Sequence, residues 1–176
     1  MNEIRVLIEE IRKGLLALEK IEGFYERVVA GLDASGRNEE KAVVIAELLS
    51  KHYTCLETKF LRVSQFFENN LSRERWHSDL LDRMTLSIEG VREAVLRDET
   101  RDLLLEFLKF RHFTRYYYDI GYDWDRLAYL MKKFRQVRPM VHDDFGAFLQ
   151  FLEALDAADT DTASIDDNPT KQFESA

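Results

Sequence analysis

An all-α fold, an up-down bundle of four to five helices led by a long N-terminal helical hairpin, is what this sequence predicts, and three observations carry the prediction. Of 176 residues, 45% are hydrophobic and 12% aromatic, enough apolar material for one well-buried domain. Seven glycines and two prolines, with no proline before Pro139, supply too little turn chemistry for a many-stranded sandwich or barrel. Apolar residues recur at helical rather than alternating spacing along most of the chain.

The first helix is set by Ile4, Ile11, Leu18, Tyr25 and Leu32 at one heptad position and by Leu7, Ile21 and Val28 at another. Ile8, Leu15 and Val29 widen this to a three-position stripe, which suits a bundle helix. Gly31, Ser35 and Gly36 mark its end, and Asn38 followed by Glu39 and Glu40 caps a second long helix. That helix turns Ile45, Leu49, His52, Leu56, Val63, Phe66 and Phe67 inward, so the two form an antiparallel hairpin.

Asn69, Asn70 and Ser72 interrupt the pattern before Trp76, Leu80 and Met84 define a short third helix. The stretch from Thr85 to Arg97 has no single period. Asp98 is the expected cap of a fourth helix with Leu103, Phe107, Phe110, Phe113 and Tyr117 as its core stripe. A second stripe, Leu104 and Leu108, continues as Arg111, Arg115 and Tyr118, and its Leu104, Leu108 and Arg111 face is expected to be buried against a second copy in a homodimer. Asp123 caps the last helix, in which Leu127, Leu130, Met131, Phe134, Val137, Val141, Phe145, Phe148 and Leu152 keep helical period across Pro139. One kinked helix or two short ones fit that stretch equally well.

Charge and composition exclude several classes of function. Six of the eight net negative charges fall between Glu153 and the C-terminus, leaving −2 on residues 1–152. We expect residues 1–156 to form one helical domain and 157–176 a disordered acidic tail. The near-neutral domain neither demands nor forbids an RNA partner, because local patches decide phosphate binding. A single cysteine, Cys55, permits no intrachain disulfide and suits a cytoplasmic setting. Charges break every apolar run of the N-terminal segment, so neither a signal peptide nor a membrane span is expected.

His52, His77, His112 and His142 are far apart in sequence, and no CxxC, HExxH, EF-hand or glycine-rich phosphate loop is present, so neither metal nor cofactor is expected. His52 lies on an apolar stripe and reads as a packed, hydrogen-bonded imidazole. Cys55 reads as a small buried hydrophobe.

The chemistry concentrates in Phe110–Tyr118, FRHFTRYYY. At 100° per residue Arg111, Arg115 and Tyr118 share a helical face, while His112 and Tyr116 make an i, i+4 pair beside it. Guanidinium forks suit phosphate oxygens and aromatic rings stack on unpaired bases, which points to RNA or a nucleotide. An interhelical salt-bridge and packing cluster accounts for the same residues equally well.

The stretch from about Trp76 to Leu155, with RWHSDLLDRM, LLLEFLKFRHFTRYYY, DWDRLAYLMKKF and FLQFLEAL, resembles the HepT-like members of the HEPN superfamily. These are small helical proteins, often toxins paired with a minimal nucleotidyltransferase antitoxin. Their motif is arginine, four residues, histidine, one residue, tyrosine. Laid on this chain it puts the arginine at Arg111 and the tyrosine at Tyr118, with Tyr116 in place of the histidine. The resemblance implies a metal-independent endoribonuclease acting at a dimer interface, with Tyr118 as the residue to which the nucleotidyltransferase attaches AMP. Arg111, His112 and Tyr116 are then the candidate catalytic residues, and Tyr118 and Arg115 the AMP-acceptor or substrate-binding ones.

Tyr116 departs from that pattern. A phenol with pKa near 10 is a base only about 0.1% of the time at neutral pH, against an imidazole near 6.5. The implied activity is therefore impaired unless His112, one turn away, substitutes. Three readings stay open: an active ribonuclease, a catalytically degenerate module that binds RNA, a nucleotide or a nucleotidyltransferase, and a purely structural helical dimer.

Overall fold

The structure, a computed structural model, describes residues 3–32, 36–68 and 76–165, with five helices among them. They are α1 (Glu3–Ala30), α2 (Glu39–Phe67), α3 (Trp76–Arg83), α4 (Asp98–Tyr116) and α5 (Trp124–Ile165). The all-α expectation holds. Ser35, the Asn69, Asn70 and Ser72 break, and residues 166–176 of the expected tail lie outside the described residues.

The heptad stripe of α1 is the face that packs. Leu7, Ile8, Ile11, Leu18 and Tyr25 are buried, and Ile4, Leu15, Ile21, Val28, Val29 and Leu32 flank them. Contacts with α2 run in reverse order along the chain: Glu10 with Arg62, Gly14 with Cys55, Glu22 with His52, and Gly31 with Lys41. That order makes the hairpin antiparallel. A Cβ at Gly14 would lie 2.1 Å from Cε of Lys59, so a glycine lets the Lys59 stem cross α1 there. Asn38 caps α2 as expected, its Oδ1 accepting from the Lys41 N–H at 2.8 Å.

Helix α5 runs antiparallel to α1, through Arg5 with Asp156, Arg12 with Glu153, Glu22 with His142, and Glu26 with Arg138. Helix α4 runs antiparallel to α2, through Arg111 with Thr54 and Glu57 and Thr114 with Ser50. The four long helices thus form an up-down bundle, and α3 lies along α2 and α4, tied by His77 to Glu57 and by Arg101 to Asp82. All nine apolar positions predicted for the last helix, Leu127 to Leu152, are buried. One helix passes through Pro139 and continues to Ile165, so residues 157–165, expected to belong to a disordered tail, extend α5. Phe134 sits at the centre, edge-on to Tyr25 at 4.6 Å and to His52 at 4.7 Å.

Two expectations about α4 need correction. Leu104 and Leu108 are buried within the chain itself, at 0% and 4% exposure, because α4 is clasped between α2 and α5 with α3 on a further side. No second copy is needed to cover that stripe. Asp98 is the first residue of α4 rather than its cap. Arg97 occupies the cap position, and its backbone N–H donates to Asp144 of α5 at 3.1 Å. The unassigned stretch after α3 is a tight turn at Gly90, which has φ +73, closed by an Ile88–Arg92 bridge. The Arg92 side chain is fully buried and donates to Glu68 and to the carbonyls of Arg83, Leu86 and Glu93, so one guanidinium organises the turn.

Candidate functional site

The face of α2 that meets α4 is polar over two turns. Ser50, Thr54 and Glu57 follow one another at helical spacing, opposite Thr114 and Arg111 on the antiparallel helix. Arg111 presents its fork to Glu57, with Nη2 3.1 Å from Oε2 and Nη1 donating to Oε1 at 3.4 Å. Its Nε donates to Oγ1 of Thr54 at 3.0 Å. Thr54 spends its own proton on the Ser50 carbonyl, which leaves Oγ1 oriented as an acceptor.

Glu57 has a second partner. Nδ1 of His77, on α3, lies 2.5 Å from Glu57 Oε1. An ionised carboxylate only accepts, so Nδ1 donates the proton of this hydrogen bond. The carboxylate is 6% exposed, the Arg111 side chain 17% and His77 19%, so the charges sit at the boundary between core and solvent. The His112 ring stands edge-on to His77, with centroids 5.3 Å apart. Burial first, then the neighbouring His77 and Arg111 charges, hold the His112 imidazole below its ordinary range, against the opposing pull of Glu57.

Of the residues singled out from sequence, Arg111 and His112 are therefore brought together. Arg115 lies at the margin, exposed, and adds to the positive field on His112. Tyr116 is 68% exposed and Tyr118 92% exposed. Arg111 and Arg115, four residues apart within α4, keep the expected shared face, but Tyr118 does not join it, because α4 ends at Tyr116 and Tyr117 caps it with non-helical φ and ψ of −96 and 108. Tyr117 Oη then donates to the Gly121 carbonyl and the Asp119 side chain accepts from the Ile120 and Gly121 N–H groups, so Tyr118 rides on a turn. The interhelical salt bridge that the sequence left open for Arg111 is formed, with Glu57 as its partner within the chain.

Glu57, His77 and Thr54 are the members that sequence reasoning missed. One signal for Glu57 was available, a carboxylate set among Tyr53, Leu56 and Phe60 on the inward side of α2. His77 gave none, since it stands 20 residues from Glu57 and 35 from His112.

A second cluster lies deeper. Glu22 on α1 accepts from His52 Nε2 at 2.9 Å and faces His142 Nε2 at 3.1 Å, joining α1, α2 and α5. The two imidazoles outweigh burial and hold the Glu22 carboxyl down to about 2. His52 is 2% exposed and packs on Phe134, as its place on an apolar stripe predicts. Cys55 is half-buried, and burial raises its thiol, in keeping with a packing role.

Comparison with known proteins gives one match, to the family described as HepT-like protein, over residues 44–152, well over half of the chain. That span begins in α2 and ends in α5, and contains Glu57, His77, Arg111 and His112. No match was found among curated proteins or among solved structures. Among the described residues no helix is long and apolar enough to cross a membrane.

Proposed function

This chain belongs to the HepT-like protein family, and from that premise we propose that it is a metal-independent endoribonuclease of the HEPN type. The observation that carries this reading is a guanidinium with two imidazoles at the edge of the bundle, Arg111 beside His77 and His112. A guanidinium has five N–H donors, and Arg111 uses one each from Nε, Nη1 and Nη2 inside the chain, which leaves two for a phosphate. The reaction is attack by a ribose 2'-oxygen on the adjacent phosphorus with departure of the 5'-oxygen, for which imidazoles are the side chains of suitable pKa. The protein acts as a cytoplasmic homodimer, and exposed Tyr118 is open to AMP transfer by a minimal nucleotidyltransferase antitoxin. AMP on Tyr118 adds a phosphate just beyond the end of α4 and blocks RNA.

One observation favours a second reading, a degenerate HEPN module that binds RNA, a nucleotide or the nucleotidyltransferase without cleaving. The family's histidine position is occupied by Tyr116, which points to solvent. Labelled RNA incubated with the protein in EDTA separates the two. The ribonuclease reading expects cleavage that falls by about 10²-fold or more in Arg111→Lys, which keeps a charge opposite Glu57 and loses the fork. Binding without cleavage in the starting protein supports the module instead.

A further inference from the structure

The geometry points to His77, carried by α3 and held by Glu57, as the general acid of RNA cleavage, with His112 as the general base and Arg111 on the phosphate between them. This rests on the ribonuclease reading above and assigns its proton transfers. His77 lies outside the FRHFTRYYY segment and comes from a different helix, so the site supplies from α3 an imidazole that position 116 lacks.

Three features of the cluster lead to this division of labour. The Glu57 carboxylate 2.5 Å from Nδ1 fixes the ring and its tautomer, the role a carboxylate partner plays for other working histidines. His112 meets the opposite surroundings. His77 on α3 and Arg111 and Arg115 on α4 face it with positive charge, Glu57 on α2 is its opposing neighbour, and its neutral form is favoured. Two imidazoles in unlike environments, with centroids 5.3 Å apart, divide acid and base between them.

The step balances without a metal or co-reactant. His112 takes the proton of the 2'-hydroxyl as the 2'-oxygen forms a bond to phosphorus. The bond from phosphorus to the 5'-oxygen breaks, and that oxygen takes the proton of His77 Nε2. The products are a 2',3'-cyclic phosphate and a 5'-hydroxyl, and solvent returns a proton to His77 while removing one from His112. The attacking and leaving oxygens lie on opposite sides of phosphorus, so one imidazole cannot serve both at once. Glu57 is a positioning residue, acting through His77 and Arg111.

A bridging sulfur in place of the 5'-oxygen tests the assignment, because a thiolate leaves without prior protonation. Two RNAs identical but for that atom are incubated in EDTA with the starting protein, His77→Ala, His77→Gln, Glu57→Gln and His112→Ala, with folded state checked by circular dichroism. His77→Gln retains a hydrogen-bonding group toward Glu57, so a folding defect in the alanine variant leaves the test intact. The expected result is a loss of about 10²- to 10⁴-fold on the oxygen-linked RNA for both His77 variants, restored on the sulfur-linked RNA. Glu57→Gln follows the same pattern to a smaller extent, and His112→Ala is slow on both. Cleavage of the oxygen-linked RNA by His77→Gln within about threefold of the starting protein overturns the assignment. Equal slowness on both RNAs overturns it as well, since the lost step is then not leaving-group protonation. If the starting protein cleaves neither RNA, the ribonuclease reading itself fails and the assignment falls with it.

Discussion

Arg111 and Glu57 stand 54 residues apart in sequence and meet as a forked ion pair across α2 and α4, with Nη2 3.1 Å from Oε2. Glu57 is 6% exposed, and this guanidinium and His77 are its polar partners there. The same pair is both a strut between helices and the floor of the proposed site.

Removing one member of such a pair leaves a nearly buried charge without compensation. Arg111→Ala is expected to lower unfolding free energy by about 2 kcal/mol, somewhat below the cost for a fully buried pair because the guanidinium is 17% exposed. Arg111→Lys should lose about half as much. Urea unfolding at neutral pH checks both, and an alanine variant as stable as the starting protein would remove the strut.

Stability should also record the Glu22 cluster. The carboxyl is held at about 2, below its ordinary value, so the ionised form stabilises the fold fully above the unfolded value. That contribution is lost as pH falls through the folded value. Glu22→Gln is expected to cost about 2 kcal/mol at pH 7 and to flatten the acid side of the stability profile. His142 titrates with the opposite sign, being raised by Glu22, so its contribution is present below its unfolded value and fades as pH rises through the folded one. Burial lowers His52, which makes its protonation unfavourable to the fold as pH drops. Thermal melts of the starting protein and the variant from acid to neutral pH would give parallel curves if Glu22 carried no such linkage.

Much of this fold was legible because it is written in helical period. The α1 stripe, the α2 stripe through Val63 and every apolar position of α5 from Leu127 to Leu152 face the core as spacing requires, and Asn38 and Asp123 accept from N–H groups in the first turns they begin. What escaped depends on tertiary contact. Leu104 and Leu108 read as a surface for another molecule because spacing cannot say how many helices surround α4. The Glu57, His77 and Arg111 cluster escaped because its members come from three helices, and only their packing makes neighbours of them. Tyr118 was placed by extending a helical wheel past Tyr116, where the Tyr117 backbone leaves the helix.

Tyr116→His restores the family's residue at a position 68% exposed and outside the imidazole pair. With His77 and His112 supplying both proton transfers, the exchange should change metal-free cleavage by less than about threefold. A gain near 10²-fold would mean that position 116 supplies the missing acid or base and that the pair does not.

A homodimer is expected at tens of micromolar by light scattering, formed through a face other than the internal Leu104 and Leu108 stripe. Leu104→Ala should therefore lower stability by about 2–4 kcal/mol, the usual cost of a core truncation, and leave the mass of the folded species unchanged. A monomeric starting protein, or a Leu104→Ala variant that is stable and monomeric, would contradict this.

The most direct measurement is the identity of the ends formed when the protein meets RNA without metal. A labelled RNA and the DNA of the same sequence are incubated with confirmed folded protein in EDTA, and the fragments are analysed by mass. We predict cleavage of the RNA alone, into fragments with 2',3'-cyclic phosphate and 5'-hydroxyl ends, abolished or slowed about 10²-fold or more in His112→Ala. Intact RNA, or cleavage of the DNA alongside it, would contradict a site in which Arg111, His112 and His77 act on a ribose 2'-hydroxyl.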